Sequence, residues 1–244
     1  MFRRVSRLLV SFVMIMAGAV IGVGATSGTA HADECYTWSR TLSEGSSGSD
    51  VTQLQIRVAG WVTSGERLSY DGQFGARTTA AVKKFQAAYG LTADGVAGSQ
   101  TFSKLYALQD ADCTPVHFSY AELNRCNSDW SGGAVSAATA KANALKTMWK
   151  LEAMRHALGD VSINISSGFR SYACNSAVGG SSTSRHLYGD AADLTGSPTL
   201  CRLAQQSRTH GFSEILGPGY PGHNDHTHVA FDPSPYWSAP TCGI

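Results

Sequence analysis

Ser184-Arg185-His186-Leu187-Tyr188-Gly189-Asp190-Ala191-Ala192-Asp193 decides how the second half of the chain must fold. His186 and Asp193 are seven positions apart, which on a regular α-helix would separate them by about 10 Å along the axis. One zinc ion, with ligand bonds of about 2 Å, could not take both side chains from such a helix. Gly189 between them fits a turn that feeds a short strand, Ala191 to Leu194, and brings both side chains to one point. Further along, His223-Asn224-Asp225-His226-Thr227-His228 adds more ligand types. The run from His226 to Phe231 alternates as a strand does, with His226 and His228 on one side and Thr227, Val229 and Phe231 on the other. Two His and one Asp, with a fourth position open to water, form the donor set of a catalytic zinc site. A lone H-x-H would be weak evidence. Two segments rich in ligand types and flanked by Gly, Ser and Pro make a stronger pattern.

The pattern S-x-H-x-x-G-x-A-x-D followed by H-x-H resembles the zinc D-Ala-D-Ala carboxypeptidases of the M15 peptidases, above all their secreted Streptomyces type. That type also carries Ser-Gly-Phe-Arg-Ser and His-Asn-Asp-His-Thr-His, which stand here as Ser167 to Ser171 and His223 to His228. The likeness runs over nearly all of the exported chain. It implies an α+β fold: a small three-helix N-terminal module followed by an antiparallel-sheet catalytic domain of the Hedgehog/D,D-peptidase type. It also implies His186, Asp193 and His228 as the ligands of one Zn2+ per chain. Asp225 stands where relatives place a Glu or Asp base, and His223 stands where the Streptomyces type assigns proton transfer. Both remain candidates. His226 shares its strand face with His228 and is expected to approach the metal, there to hydrogen-bond the reacting centre or orient a ligand. Arg170 would hold substrate, at its terminal carboxylate or at the polarised carbonyl. The implied reaction is hydrolysis of the D-Ala-D-Ala bond of peptidoglycan stem peptides. The alternatives are a D,D-endopeptidase that cuts cross-links and a non-catalytic wall-binding protein with a structural metal.

Other polar residues near the motifs read differently. Ser184 has no Ser-x-x-Lys or Gly-x-Ser-x-Gly around it and reads as a turn residue rather than a nucleophile. Asp190 is expected to be solvated or to support a ligand, and His117, His156 and His210 to be ordinary, partly exposed residues.

Arg3, Arg4 and Arg7, the apolar run Leu8 to Val23 and the small residues Ala30-His31-Ala32 form an export signal over residues 1–32. Cleavage there leaves no membrane span, and the product is expected to be a secreted or wall-associated monomer. The cleaved chain would carry 16 basic and 18 acidic residues, a near-neutral balance that argues against a nucleic-acid partner. Six cysteines, at 35, 113, 126, 174, 201 and 242, all follow the cleavage site, and an even number in an exported chain indicates disulfides. Cys35 and Cys113 bracket one segment; the remaining four can pair in three ways. The resemblance selects Cys126–Cys174 and Cys201–Cys242 alongside Cys35–Cys113.

Residues 33–113 contain an internal repeat within a core of about residues 42–108. Asp71-Gly72-Gln73-Phe74-Gly75-Ala76-Arg77-Thr78 is echoed by Asp94-Gly95-Val96-Ala97-Gly98-Ser99-Gln100-Thr101. Each unit reads as a turn followed by a Thr that caps a helix. An earlier helix starts near Asp50, and the first repeat helix stops at Gly90. The segment resembles the small peptidoglycan-binding module found beside many wall hydrolases, which implies the wall as a partner. From residue 114 to 244, Ser136 opens a helix that reaches Leu158, with Ala138, Ala142, Leu145, Trp149 and Leu151 on its buried side. A strand follows over Val161 to Ile165, then a helix over Leu200 to His210 and strands near Glu214 to Leu216 and His226 to Phe231. Helices are expected on one face of the sheet and the metal on the other.

Overall fold

Two glutamines explain the repeat. The computed structural model describes residues 35–126 and 129–244; the expected export signal lies outside the described residues. Helices α1 (Ser49–Arg57), α2 (Ala76–Ala88) and α3 (Ser99–Ala107) surround a core that includes Leu42, Leu54, Phe74, Phe85 and Leu105. The threonines do not cap their helices as expected. Gly75 and Gly98 hold the cap positions, while Thr78 and Thr101 are buried inside the first turns. Gln55 of α1 donates to Asp71 Oδ1 at 2.9 Å, Gln73 O at 3.0 Å and Thr78 Oγ1 at 3.2 Å, and accepts from Gly72 N at 3.0 Å. Gln86 of α2 does the same one unit later, donating to Asp94 at 2.9 Å, Val96 O at 3.0 Å and Thr101 at 3.1 Å, and accepting from Gly95 N at 2.9 Å. Each threonine is needed as a buried acceptor rather than a cap. Buried amides satisfied on both ends fix the loops that the repeat encodes.

Ser136 caps α5 (Ala137–Ala157), accepting from Thr139 N, and Gly159 follows the C-cap Leu158, as the sequence predicts. The buried side differs from expectation: Ala138 and Ala142 are exposed, and the stripe is Ala140, Ala144, Met148 and Leu151. Beyond Thr147 the helix is buried on nearly every side, because the helical region packs against the face opposite the sheet. Gly60 makes this approach possible, since a Cβ there would lie 2.5 Å from Ala153 Cβ. Trp61, Tyr89 and His156 pack ring against ring across the same contact.

The remaining elements are α4 (Tyr120–Leu123), closed by a Ser119–Glu122 capping box, β1 (Asn164–Ser167), α6 (Tyr172–Ala177), β2 (Ala191–Thr195), α7 (Leu200–Ser207), β3 (Glu214–Leu216), β4 (Thr227–Ala230) and β5 (Tyr236–Ser238). The sheet runs β1-β2-β4-β3-β5. β1 starts later than the predicted Val161, because pairing with β2 begins only at Asn164 opposite Thr195. The sheet is not wholly antiparallel: β5, which has no alternation to announce it, joins β3 in parallel. Ile165, Ala192, Leu194, Ile215 and Val229 point into a core shared with α5 and α7. Asp193 and His228, directly paired across β2 and β4, take the opposite face. Disulfides join Cys35 to Cys113, Cys126 to Cys174 and Cys201 to Cys242. In the chain-entropy view, closing the first loop contributes about 4 kcal/mol.

Candidate metal centre

Ser184 accepts from His186 N and starts a single 3₁₀ turn, Arg185–Tyr188, which Gly189 ends. Gly189 has φ 76°, and a Cβ there would fall 2.4 Å from Ala140 O, so the turn demands glycine twice over. The chain then enters β2, whose alternation aims Asp193 back at His186. β4 supplies His228 from the neighbouring strand. All three side chains are buried. His186 Nε2 lies 3.1 Å from Asp193 Oδ1 and 3.1 Å from His228 Nδ1, and His228 Nδ1 lies 2.9 Å from Asp193 Oδ1. Three ligand atoms within 4.8 Å of one another are the described residues' grouping suited to a metal ion.

The outer ring nitrogens set the chemistry of the inner ones. His186 Nδ1–H donates to Gly168 O at 2.5 Å, which leaves Nε2 as a bare lone pair. His228 Nε2 meets Glu214 Oε1 at 2.9 Å, so Glu214 holds the tautomer whose Nδ1 faces inward. With both imidazoles neutral, two nitrogen lone pairs and a carboxylate oxygen converge with no donor between them. Such a set repels itself unless a cation sits among it, and N, N, O is a zinc donor set. Without a metal, a proton takes that place. Burial opposes charge on His228, but the carboxylates of Asp193 and Glu214 outweigh it and raise the ring to about 9. Burial pushes His186 down. Burial also works against the Asp193 carboxylate, yet the two imidazoles hold it well below the usual range.

Arg170 follows the Gly168-Phe169 turn out of β1. Its Nη2 donates to Asp193 Oδ2 at 2.6 Å and its Nε to Ser167 Oγ at 2.9 Å. The guanidinium therefore grips the oxygen of Asp193 that faces away from the two imidazoles, and it also lines a 300 Å³ cleft with Arg125, Ser166 and Val178. His226 Nε2 lies 3.6 Å from Asp193 Oδ1, while its Nδ1 meets Asp225 Oδ1 at 2.8 Å. Asp225 itself is turned to solvent, with 90% of its side chain exposed. His223 Nδ1–H donates to Pro221 O at 3.0 Å, and its ring lies 4.7 Å from that of His226 and 5.9 Å from that of His228. Burial pushes the His223 ring down, toward the neutral form.

Two expectations need correction. Of the two readings of Asp190, the solvated one fails: the residue is buried and paired with Arg185 on the core side of the sheet. His210 is buried as well, its Nδ1 2.8 Å from Gln206 O. Glu214 is a supporting residue that the sequence does not announce, its one signal being a carboxylate that opens a short apolar strand.

Residues 116–230 match the family "Peptidase M15" and residues 47–105 the family "Putative peptidoglycan binding domain". A zinc D-Ala-D-Ala carboxypeptidase from Streptomyces albus G is 67% identical over 229 residues, 93% of this chain and 88% of its own length. An uncharacterized protein in the bpoA1 3' region of Kitasatospora aureofaciens is 34% identical over 107 residues, 41% of this chain and 86% of its own. The crystal structure of a Burkholderia AP3 phage endolysin is 34% identical over 44% of this chain and 36% of its own, with a TM-score of 0.25, too low to argue from.

Proposed function

The chain belongs to the M15 peptidases, the family of the zinc D-Ala-D-Ala carboxypeptidase of Streptomyces albus G, and from that premise we propose how its own residues carry out the reaction. It is a zinc D,D-carboxypeptidase that hydrolyses the terminal D-Ala-D-Ala bond of peptidoglycan stem peptides. The observation that carries this reading is the convergence of His186 Nε2, Asp193 Oδ1 and His228 Nδ1, each held by a partner on its far side. We assign these three as the zinc ligands. Zinc, when bound, supplies Lewis acidity that makes water nucleophilic near neutral pH.

The protein groups around the centre divide the remaining work. Gly168 and Glu214 keep the imidazoles in the ligating tautomer, and Arg170 keeps Asp193 in place while its Nη1 remains for a substrate oxygen. The cleft beside Arg170 is the proposed seat of the stem peptide. His223 is the proposed proton carrier: its Nδ1–H is committed to Pro221 O, so Nε2 is free to take a proton from water and pass it to the leaving amine. His226, held through Nδ1–H by Asp225, can donate Nε2–H toward the developing oxyanion as an imidazolium. Asp225 reaches the centre only through His226.

The sheet is read as the Hedgehog/D,D-peptidase type with one added parallel edge strand. We propose domains over 33–113 and 114–244, export directed by residues 1–32, action outside the cell as a monomer, and wall binding by the helical region. The test is to incubate zinc-loaded protein with an acylated tripeptide ending in D-Ala-D-Ala and, separately, with cross-linked muropeptides. Released D-Ala is the expected result. Monomerised muropeptides without released D-Ala would make it an endopeptidase, and no product from either would make the metal structural.

A further inference from the structure

On the core side of the sheet, away from the metal centre, a 220 Å³ cavity is lined by Tyr70, Asn143, Lys146, Lys150, Arg185 and Asp190, among others. Three chain segments that are distant in sequence build it: the helical region at Tyr70, α5, and the turn that carries His186. Its charges do not balance. Lys146, Lys150 and Arg185 face one carboxylate, Asp190, and Arg185 already engages that carboxylate through Nε at 3.1 Å and through Nη2. Arg67 is close by, over the Phe231 ring that closes one wall.

Lys150 is the telling residue. It is 5% exposed and lines the cavity; no described residue bonds its ammonium, and that nitrogen is not among the described side-chain atoms that are sealed off without a partner. Its neighbours are the rings of Phe212 and Phe231, at 5.4 and 5.5 Å. Those π faces offset part of the cost of burying charge but provide no lone pair. Burial pushes Lys150 down to about 8, Asp190 only partly opposing this, and it pushes Lys146 down as well. Lys146 has a single weak acceptor, Asn143 Oδ1 at 3.2 Å, and lies over the Tyr70 ring at 5.1 Å. A largely enclosed surplus of positive charge with few protein acceptors is costly as a purely structural device. It suits a ligand that brings both negative charge and several acceptor oxygens.

We propose that this cavity is an oxyanion-binding site that takes a phosphate-type group through Lys146, Lys150 and Arg185. A phosphate oxygen set matches a surplus of about two charges and the scarcity of protein acceptors together. The half-buried rim at Tyr70, Asn143 and Lys146 leaves the group reachable from solvent, as a free ion or as a phosphodiester of an anionic polymer. The occupant would tie Tyr70 to α5 and brace the Arg185–Asp190 turn between the ligand positions 186 and 193. The site does not depend on the metal assignment.

The experiment is calorimetric titration of the zinc-loaded full chain with inorganic phosphate and, in a second arm, with a glycerol-phosphate oligomer. It is repeated on Lys150→Met, which keeps the apolar stem, and on the rim variant Lys146→Gln. Expected is saturable binding of one phosphate group per chain, weakened at least about tenfold in Lys150→Met and less in Lys146→Gln. Binding of the oligomer assigns a polymer as the occupant; binding of inorganic phosphate alone assigns the free ion. Absence of saturable binding to the wild type in both arms overturns the proposal. So does an affinity unchanged in both variants, including the case in which phosphate binding disappears only in His228→Ala and therefore occurs at the metal centre.

Discussion

The glutamine clamps of the helical region and the histidine cluster of the sheet are both buried polar networks, yet they are finished to different degrees. Around Gln55 and Gln86 each donor meets an acceptor, and nothing points at an empty centre. Around Asp193 the outer atoms are satisfied in the same manner, by Gly168, Glu214 and Arg170, but the inner atoms present lone pairs to one another. A complete network holds a loop. A network complete on its outside and unbalanced on its inside holds a ligand. Substitutions in the two regions should therefore differ in kind, one set moving stability and the other metal and activity.

The largest effect belongs to the cluster. His186→Ala, Asp193→Ala and His228→Ala each remove a proposed ligand atom and should lose both zinc and D-Ala release. Metal analysis of the three purified variants checks this, and stoichiometric zinc in all of them would falsify the ligand assignment. Arg170→Ala should lower kcat/KM and also weaken zinc retention, because the guanidinium grips the second oxygen of Asp193.

Next come the proposed proton carriers. His223→Gln should keep zinc and lose about 100-fold in kcat, the usual size of a lost general acid–base group. Asp225→Asn should cost less, since its exposed carboxylate acts only through His226. Steady-state kinetics of the pair decide it, and a larger loss in Asp225→Asn would reverse the two roles.

In the helical region Gln86→Ala should lower stability by about 2 to 4 kcal/mol, because it strands the buried Gly95 N–H and several acceptors. Denaturant unfolding measures this, while the zinc content should stay at the wild-type level. If zinc fell in step with stability, the two networks would not be separable as described.

These two regions were also unequally legible in the sequence. The spacing of His186, Gly189 and Asp193 and the alternation around His228 point to one location because turn and strand geometry are local properties. The Asp-Gly repeat is visible too, but its threonines look like caps, since nothing local reveals that Gln55 and Gln86 reach across from the preceding helix. Glu214 is hidden for the same reason: it meets His228 only once β3 pairs with β4. Ala138 and Ala142 fit a helical stripe as well as Ala140 and Ala144 do, and only packing on two faces of α5 separates them. The parallel edge strand β5 left no pattern to read, because its pairing partner alone defines it.

A stability effect of similar size, but confined to acid, is a pH dependence in the helix-packed core, away from both networks. Burial lowers His210 to about 4, its hydrogen bond to Gln206 O only partly opposing this. The unfolded chain takes up a proton near pH 6.5 that the folded chain refuses until near 4. Stability is therefore full above 6.5 and falls as pH drops through that window, by about 3 kcal/mol in all. Unfolding curves between pH 7 and 4 should flatten in His210→Phe, and an unchanged slope would remove His210 as the cause.

We propose that the converging lone pairs of His186, Asp193 and His228 hold one zinc on which hydrolysis depends. Stripping the wild-type protein with a chelator and titrating zinc back, while following D-Ala release from an acylated tripeptide, tests it most directly. The expected result is loss of activity in the stripped protein and linear recovery that ends at one zinc per chain. Undiminished D-Ala release from the stripped, metal-free protein would contradict it.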